Sequence, residues 1–401
     1  MKPLSGIKVL DLTDGNPYAS NMFAEYGADV VKIEKPIVGD AIRRRGAKSA
    51  DEEGIYQLYH NRGKRSMVVD LDKAEGQELV RKLVPHFDVL IANVSEAELA
   101  KKGLDYPTVK ALNNKIIYGI LTAFGEEGPW KDMPDYDLIV TARSAILDRT
   151  GFPEKPTRIG FPLSYHFGGW FLVAGVLSAY LQMQTTGEGQ KVSTSSWQTM
   201  FSLDDTAAQC LSGINELPKR LANGFPTTNP TDTFKCKNGW FSLSIGSDAQ
   251  WLAFSASAGR QDWIDDPRYN HDPARSMENY FGDLDQQLRD YFETITIEEA
   301  DQICRNAMVP GGPCNTITEL VADEQVATRE MILKVTDKKL GETLQLGRAA
   351  KFLRDDEDDN VVGPAPELGE HTKEVLVSIL GMDDAQVEQL QATGVVAVEK
   401  E

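Results

Sequence analysis

Four short, β-branched apolar runs are spaced through the first 120 residues, and this spacing restricts the fold more than any other feature. Ile7-Lys8-Val9-Leu10-Asp11-Leu12 is a run of buried-strand character. Ser20 to Tyr26 has helical spacing and is closed by Gly27, and Val30-Val31-Lys32-Ile33-Glu34 is a second strand. Phe87-Asp88-Val89-Leu90-Ile91-Ala92 and Ile116-Ile117-Tyr118-Gly119-Ile120-Leu121 continue the pattern, with helices between them. Strands this apolar need cover on both faces. Helices alternating with them provide it, so the expectation is βαβ units on a parallel sheet.

The turn after the first run is Asp14-Gly15-Asn16-Pro17-Tyr18. It lacks the G-x-G-x-x-G spacing, so a dinucleotide fingerprint is not present, and Glu34 reads as a surface carboxylate rather than a ribose-binding acid. Gly168 to Gln184 is apolar and rich in small residues, a buried helix too short to span a bilayer comfortably. Thr186-Gly187-Glu188-Gly189-Gln190 then turns into a strand at Lys191-Val192-Ser193. Phe225-Pro226-Thr227-Thr228-Asn229-Pro230 reads as a linker. Beyond it, Trp240 to Ile245 is strand-like and helices follow, giving a smaller α+β domain. Helices at Glu370 to Leu380 and Asp383 to Ala392 end the chain. The expected division is a large domain from residues 1–222 and 335–401, with a small domain and its linkers at 223–334. There are no internal repeats.

The net charge of −19 excludes a general affinity for nucleic acid, whose phosphates would be repelled. A small anionic ligand needs only a local basic patch. Asp355-Asp356-Glu357-Asp358-Asp359 reads as a solvated surface turn. Cys210, Cys236, Cys304 and Cys314 are far apart and the five histidines are scattered. Reduced thiols and no metal site are therefore expected. The N-terminal residues lack the apolar stretch of a signal peptide, and no apolar run reaches membrane-spanning length, so a cytoplasmic protein is expected. A nucleophile elbow, a P-loop and a metal motif are all missing.

Seven segments, in order along the chain, carry a resemblance. They are Pro3 to Thr13; Gly27 to Pro36; Gly39-Asp40 with Arg43; Asn61 to Ser66; Thr186 to Gln190; Val309 to Pro313; and Leu368 to Thr372. Together they resemble the class III CoA-transferase family, of the formyl-CoA and carnitine CoA-transferase type. The resemblance implies a Rossmann-like large domain built from both chain ends, an inserted small domain, and two chains interlocked as linked rings. It implies coenzyme A or acyl-CoA as substrate, small carboxylic acids as co-substrates, and no metal. The positions matching the CoA site are Arg43, Asn61, Lys64, Arg65, Asn93, Lys101 and Lys102.

One position departs from the family. Its catalytic aspartate lies four residues before the glycine of the buried helix, where this chain has Tyr165; a one-residue slip would place His166 there. The family's carboxylate attacks the thioester, passes through a mixed anhydride and becomes an aspartyl-CoA thioester. A phenol has no carbonyl to carry the CoA, and an ordinary pKa near 10 keeps it protonated. Asp135, Asp137, Asp148 and Glu154 are the nearest carboxylates in sequence, with Asp137 expected to be structural. The family's 2-methylacyl-CoA racemases use two bases, at positions that align with Tyr136 and Tyr165, and phenols suit that proton transfer poorly. The chain therefore resembles the aspartate-lacking subunit of heteromeric members such as succinyl-CoA:benzylsuccinate CoA-transferase. A homodimer and a non-catalytic acyl-CoA-binding or scaffolding protein are the alternatives. In this register Tyr165, Phe167 and Trp170 would make the acyl end bulky and apolar.

Overall fold

The structure, a computed structural model, describes residues 2–49, 53–215, 217, 219–225, 228–278, 282–352 and 363–398. The acidic run at 355–359, and Pro226 and Thr227 of the expected linker, lie outside the described residues.

The four apolar runs become β1 (Lys8–Asp11), β2 (Asp29–Glu34), β4 (Val89–Ala92) and β5 (Ile117–Thr122), with β3 at Arg65–Val69. β3, β2, β1, β4, β5 and the Lys191–Ser195 strand pair in parallel in that order, and Val396–Ala397 joins antiparallel to β3. The pleat explains the unbroken apolar runs. Val9 and Val30 face a layer containing Phe23 of the Tyr18–Glu25 helix, and Leu172 and Val176 of the Leu163–Thr186 helix. Leu10, Val31 and Ile33 face the opposite layer, with Leu79, Val80 and Leu83, and Val375 and Leu376 near the C-terminal end. Both faces are thus dry, as a parallel sheet requires. The order reverses at β1, which pairs with β2 on one side and β4 on the other, and ligand crevices open at the carboxyl ends of strands beside such a switch.

The chain divides into two compact units. The first comprises Met1–Ser144, Gly160–Asp204 and Gln325–Glu401, and the second Ala145–Ile159 and Asp205–Glu324. Residues 145–159 and 205–222 thus group with the second unit, and 325–334 with the first. A hairpin of Gly151–Phe152 with Lys155–Pro156, bonded from the Ala222 N–H to the Gly151 carbonyl, is one reason for the grouping. The second unit has a three-stranded antiparallel sheet of Thr231–Cys236, Gly239–Ser244 and Gly311–Pro313. Its core is aromatic, with Phe234 stacked on Phe292 at 4.7 Å and Trp251 on Trp263 at 5.5 Å.

Candidate functional site

A cavity of about 510 Å³ opens at the carboxyl ends of β1 to β4. Its walls include Leu12, Asp14, Lys35, Val38, Leu99 and Lys102. Below it lies a buried charge network. Asp11, Lys32, Asp40 and Lys64 are all removed from solvent, and the Lys32 ammonium lies 2.6 Å from Asp40 and 3.3 Å from Asp11. Lys64 reaches Asp11 at 3.3 Å and donates to the Ser20 hydroxyl at 2.8 Å. Burial opposes ionisation of Asp11, but the two ammoniums and the Ser20 and Thr13 hydroxyls outweigh it and hold the carboxyl well below its usual range. Burial also pushes Lys64 down to about 8, against the pull of Asp11. Buried charges persist only when paired like this, and the network fixes the cavity floor.

The structure places the seven expected CoA-binding residues in two groups. Lys102 lines the cavity, 3.5 Å from Asp72 on its rim. Lys101 is exposed one residue earlier and pairs with Glu98. Asn93 holds the Asp14 turn reciprocally, accepting from its N–H and donating to its carbonyl, each at 2.9 Å. The other four serve the framework. Arg43 is buried and bidentate to Glu34 at 2.7 and 2.8 Å, and also donates to Gln57 and the Pro366 carbonyl. Asn61 accepts from Lys64 at 3.2 Å, deep in the network. Arg65 pairs with Asp29 at 2.5 Å and Glu374 at 3.1 Å. Glu34 is therefore not a surface carboxylate: it is buried, and the Arg43 fork and the Ser66 hydroxyl bind both of its oxygens. Asp14, Lys35 and Asp40 were not singled out as cavity residues from sequence. The glycine-poor turn gave no motif, although a lysine inside an apolar strand, Lys32, signals a buried partner.

Tyr165 lies in the first turn of the Leu163–Thr186 helix, only 7% exposed. Asp137 anchors that turn, accepting from the Ser164 N–H at 3.0 Å and its hydroxyl at 2.9 Å. The Tyr165 hydroxyl donates to the Asp135 carbonyl at 3.1 Å, and the Arg45 guanidinium lies over the ring, 5.8 Å from its centre. Burial and the neighbouring Asp135 push the phenol up to about 12. Burial likewise lifts Asp135 to about 6, and its Oδ1 is enclosed without a hydrogen-bond partner. His166 points elsewhere, edge-on to Tyr18 at 4.4 Å and tilted against Trp170 at 5.8 Å. Burial lowers its pKa. Phe167 packs on Trp170 at 5.0 Å. Asp148 belongs to the second unit, paired with Arg220 at 2.9 Å; Glu154, in the same unit, is exposed, and so is Tyr136 in the first. No group of three His, Cys, Asp or Glu side chains among the described residues is arranged to hold a metal. No helix among them is long and apolar enough to cross a membrane.

Fold and site together define an α/β protein with a large ligand crevice at the carboxyl edge of a parallel sheet and a protonated phenol in a helix start. The chain belongs to CoA-transferase family III, whose profile matches residues 4–372. It is 34% identical to a succinate–glutarate CoA-transferase of Agrobacterium fabrum, over 94% of this chain and 96% of that one. It is 29% identical to the beta subunit of a succinyl-CoA–L-malate CoA-transferase of Chloroflexus aurantiacus, over 98% of both. A CaiB/BaiF family protein from Brucella suis superimposes with a TM-score of 0.83 at 30% identity, covering 94% of this chain and 99% of that one.

Proposed function

We propose that the chain is a component of a class III CoA-transferase that binds a CoA thioester but has no nucleophile of its own. It works with a homologous subunit that supplies the aspartate. The observation that carries this reading is Tyr165. A phenol held near pKa 12 with its proton on a backbone carbonyl cannot attack a thioester at neutral pH. It has no carbonyl through which CoA could pass. Asp135 is the carboxyl that acts most on the phenol, and burial lifts it to about 6. The 510 Å³ cavity suits the adenosine end of CoA, with Lys102 in its wall for phosphate and the exposed Lys101 one residue earlier. A partner chain is supported by exposed Trp170, Phe171 and Leu181 on the Leu163–Thr186 helix. A second reading, a non-catalytic acyl-CoA-binding protein without a catalytic partner, fits the same phenol. Racemisation is disfavoured, since Tyr165 is a weak base and Tyr136 faces solvent.

The test is succinyl-CoA consumption with a carboxylate acceptor, run on the purified chain and on its mixture with an aspartate-bearing homologue. The chain alone should be inactive and the mixture active. Tyr165→Asp should give at most weak activity in the isolated chain and leave the mixture unchanged. Robust turnover by the wild-type homodimer would overturn the proposal. Loss of the mixture's activity in Tyr165→Ala would make Tyr165 directly catalytic.

A further inference from the structure

On the other side of the Asp14–Tyr18 turn lies a second cavity, of about 600 Å³. Asp14 lines the first cavity and Tyr18 lines this one, so five residues of backbone separate them. The two linings differ in character. The first includes Asp14, Glu34, Lys35, Asp40, Asp72 and Lys102. The second has no Lys, Arg, Asp or Glu among its fourteen lining residues, in a chain where such residues make up 26%. Its walls are rings and aliphatic groups, chiefly Tyr18, Tyr56, His60, Phe161, His166 and Leu344. Tyr18 sits between two imidazoles, 4.2 Å from the ring of His60 and 4.4 Å from that of His166. Its ring is 6.1 Å from that of Tyr165, which places the cleft beside the position of the missing nucleophile.

The mouth of the cleft points to a ligand. Phe161, Leu344 and Leu346 expose more than half of their surface at the mouth of the cleft, an arrangement that costs solvation unless covered. Burial pushes His60 down to about 3 and lowers His166 as well, so both rings are neutral at working pH. A free carboxylate would find no Lys or Arg among the residues that line the cleft. A flat ring would find faces and edges on several sides, the arrangement in which aromatic pairs gain beyond simple burial.

We propose that this cleft is the acyl subsite and that it selects an aromatic acyl group. The assignment rests on the reading of the chain as a CoA thioester binder and adds the class of thioester. The charged cavity takes the nucleotide, the uncharged cleft takes the aryl end, and the thioester crosses the Asp14–Tyr18 turn past Tyr165.

Calorimetric titration of the full chain with CoA, acetyl-CoA and 3-phenylpropionyl-CoA tests this. Burying a phenyl ring should make the aryl thioester bind about tenfold tighter than acetyl-CoA, or more. Leu344 is 58% exposed, so Leu344→Asp leaves the fold intact. It should reduce the aryl preference to about twofold and leave the affinity for CoA unchanged. Equal binding of the two thioesters, or an aryl preference that survives Leu344→Asp, would overturn the assignment while the CoA reading stands. Failure of CoA and both thioesters to bind would overturn the CoA reading and this assignment with it.

Discussion

At the scale of single residues, the Tyr165–Asp135 pair sets the electrostatics of the site. Asp135 keeps its proton to about pH 6, against an ordinary value of 3.8, because burial penalises the charge by more than Arg45 relieves it, and Asp137 adds repulsion. The native state therefore binds this proton more tightly than the unfolded chain does. The stabilisation is complete below about pH 4 and is lost as pH rises through 6. Asp135→Asn removes the ionisable group and preserves its shape. The variant should be more stable than wild type by about 1–2 kcal/mol at pH 7.5, a difference that narrows by pH 4.5 and closes below about pH 4. Urea unfolding at the two pH values measures it; an offset that does not change with pH would show that Asp135 is not the titrating group. Tyr165 was found as a substitution within a motif, and that is a sequence signal. Its bond to the Asp135 carbonyl and the stacking of Arg45 were not legible, because they join turns far apart in the chain and follow no periodicity.

Among the elements, legibility followed apolar length. β1, β2, β4 and β5 were each expected within a few residues of where they form, since a buried parallel strand is a plain apolar run. β3 was read only as part of a motif. Lys64-Arg65-Ser66 looks like a loop, and its polar groups are tied up by Asp11, Asp29 and Glu34, which sequence does not reveal. The two-residue strand Val396–Ala397 is too short to carry a pattern. The apolar helix was expected from 168 and starts at Leu163, because Asp137 binds the Ser164 N–H from outside the segment. The same helix explains its glycines by contact. A Cβ on Gly169 would lie 2.8 Å from the Tyr18 Cβ and 3.1 Å from the Ala19 nitrogen, so the Tyr18–Glu25 helix packs directly on its backbone. Helix propensity alone favours Gly→Ala by about 1 kcal/mol. Overpacking costs about 1–3 kcal/mol and should win. Gly169→Ala is expected to lower stability in urea unfolding and to disturb Tyr18, and a more stable variant would show that the two helices can part cheaply.

At the scale of the whole molecule, the Leu163–Thr186 helix presents a problem of solvation. It is apolar nearly all round, as a helix covered on every side would be. One side is covered by the sheet and the Tyr18–Glu25 helix, through Leu172, Val173, Val176 and Met183. On the other, Trp170, Phe171 and Leu181 remain open, with Leu181 70% exposed and Phe171 46%. Nearby, Leu138 and Ile139 of the Asp137–Arg143 helix are open as well. A chain with net charge −19 repels copies of itself, so association needs this apolar area to outweigh the repulsion. Higher salt screens the repulsion and leaves burial intact. Sedimentation equilibrium should therefore find the wild-type chain associated, with itself or with an added homologous chain, and more tightly at 0.5 M salt than at 0.05 M. Phe171→Glu places a charge in the stripe, where burying it unpaired costs several kcal/mol. The variant should sediment as a monomer at micromolar concentration while keeping its far-UV spectrum, because Phe171 is half exposed within the chain. A Phe171→Glu protein that associates as tightly as wild type would place the partner on another face and leave the stripe without an occupant.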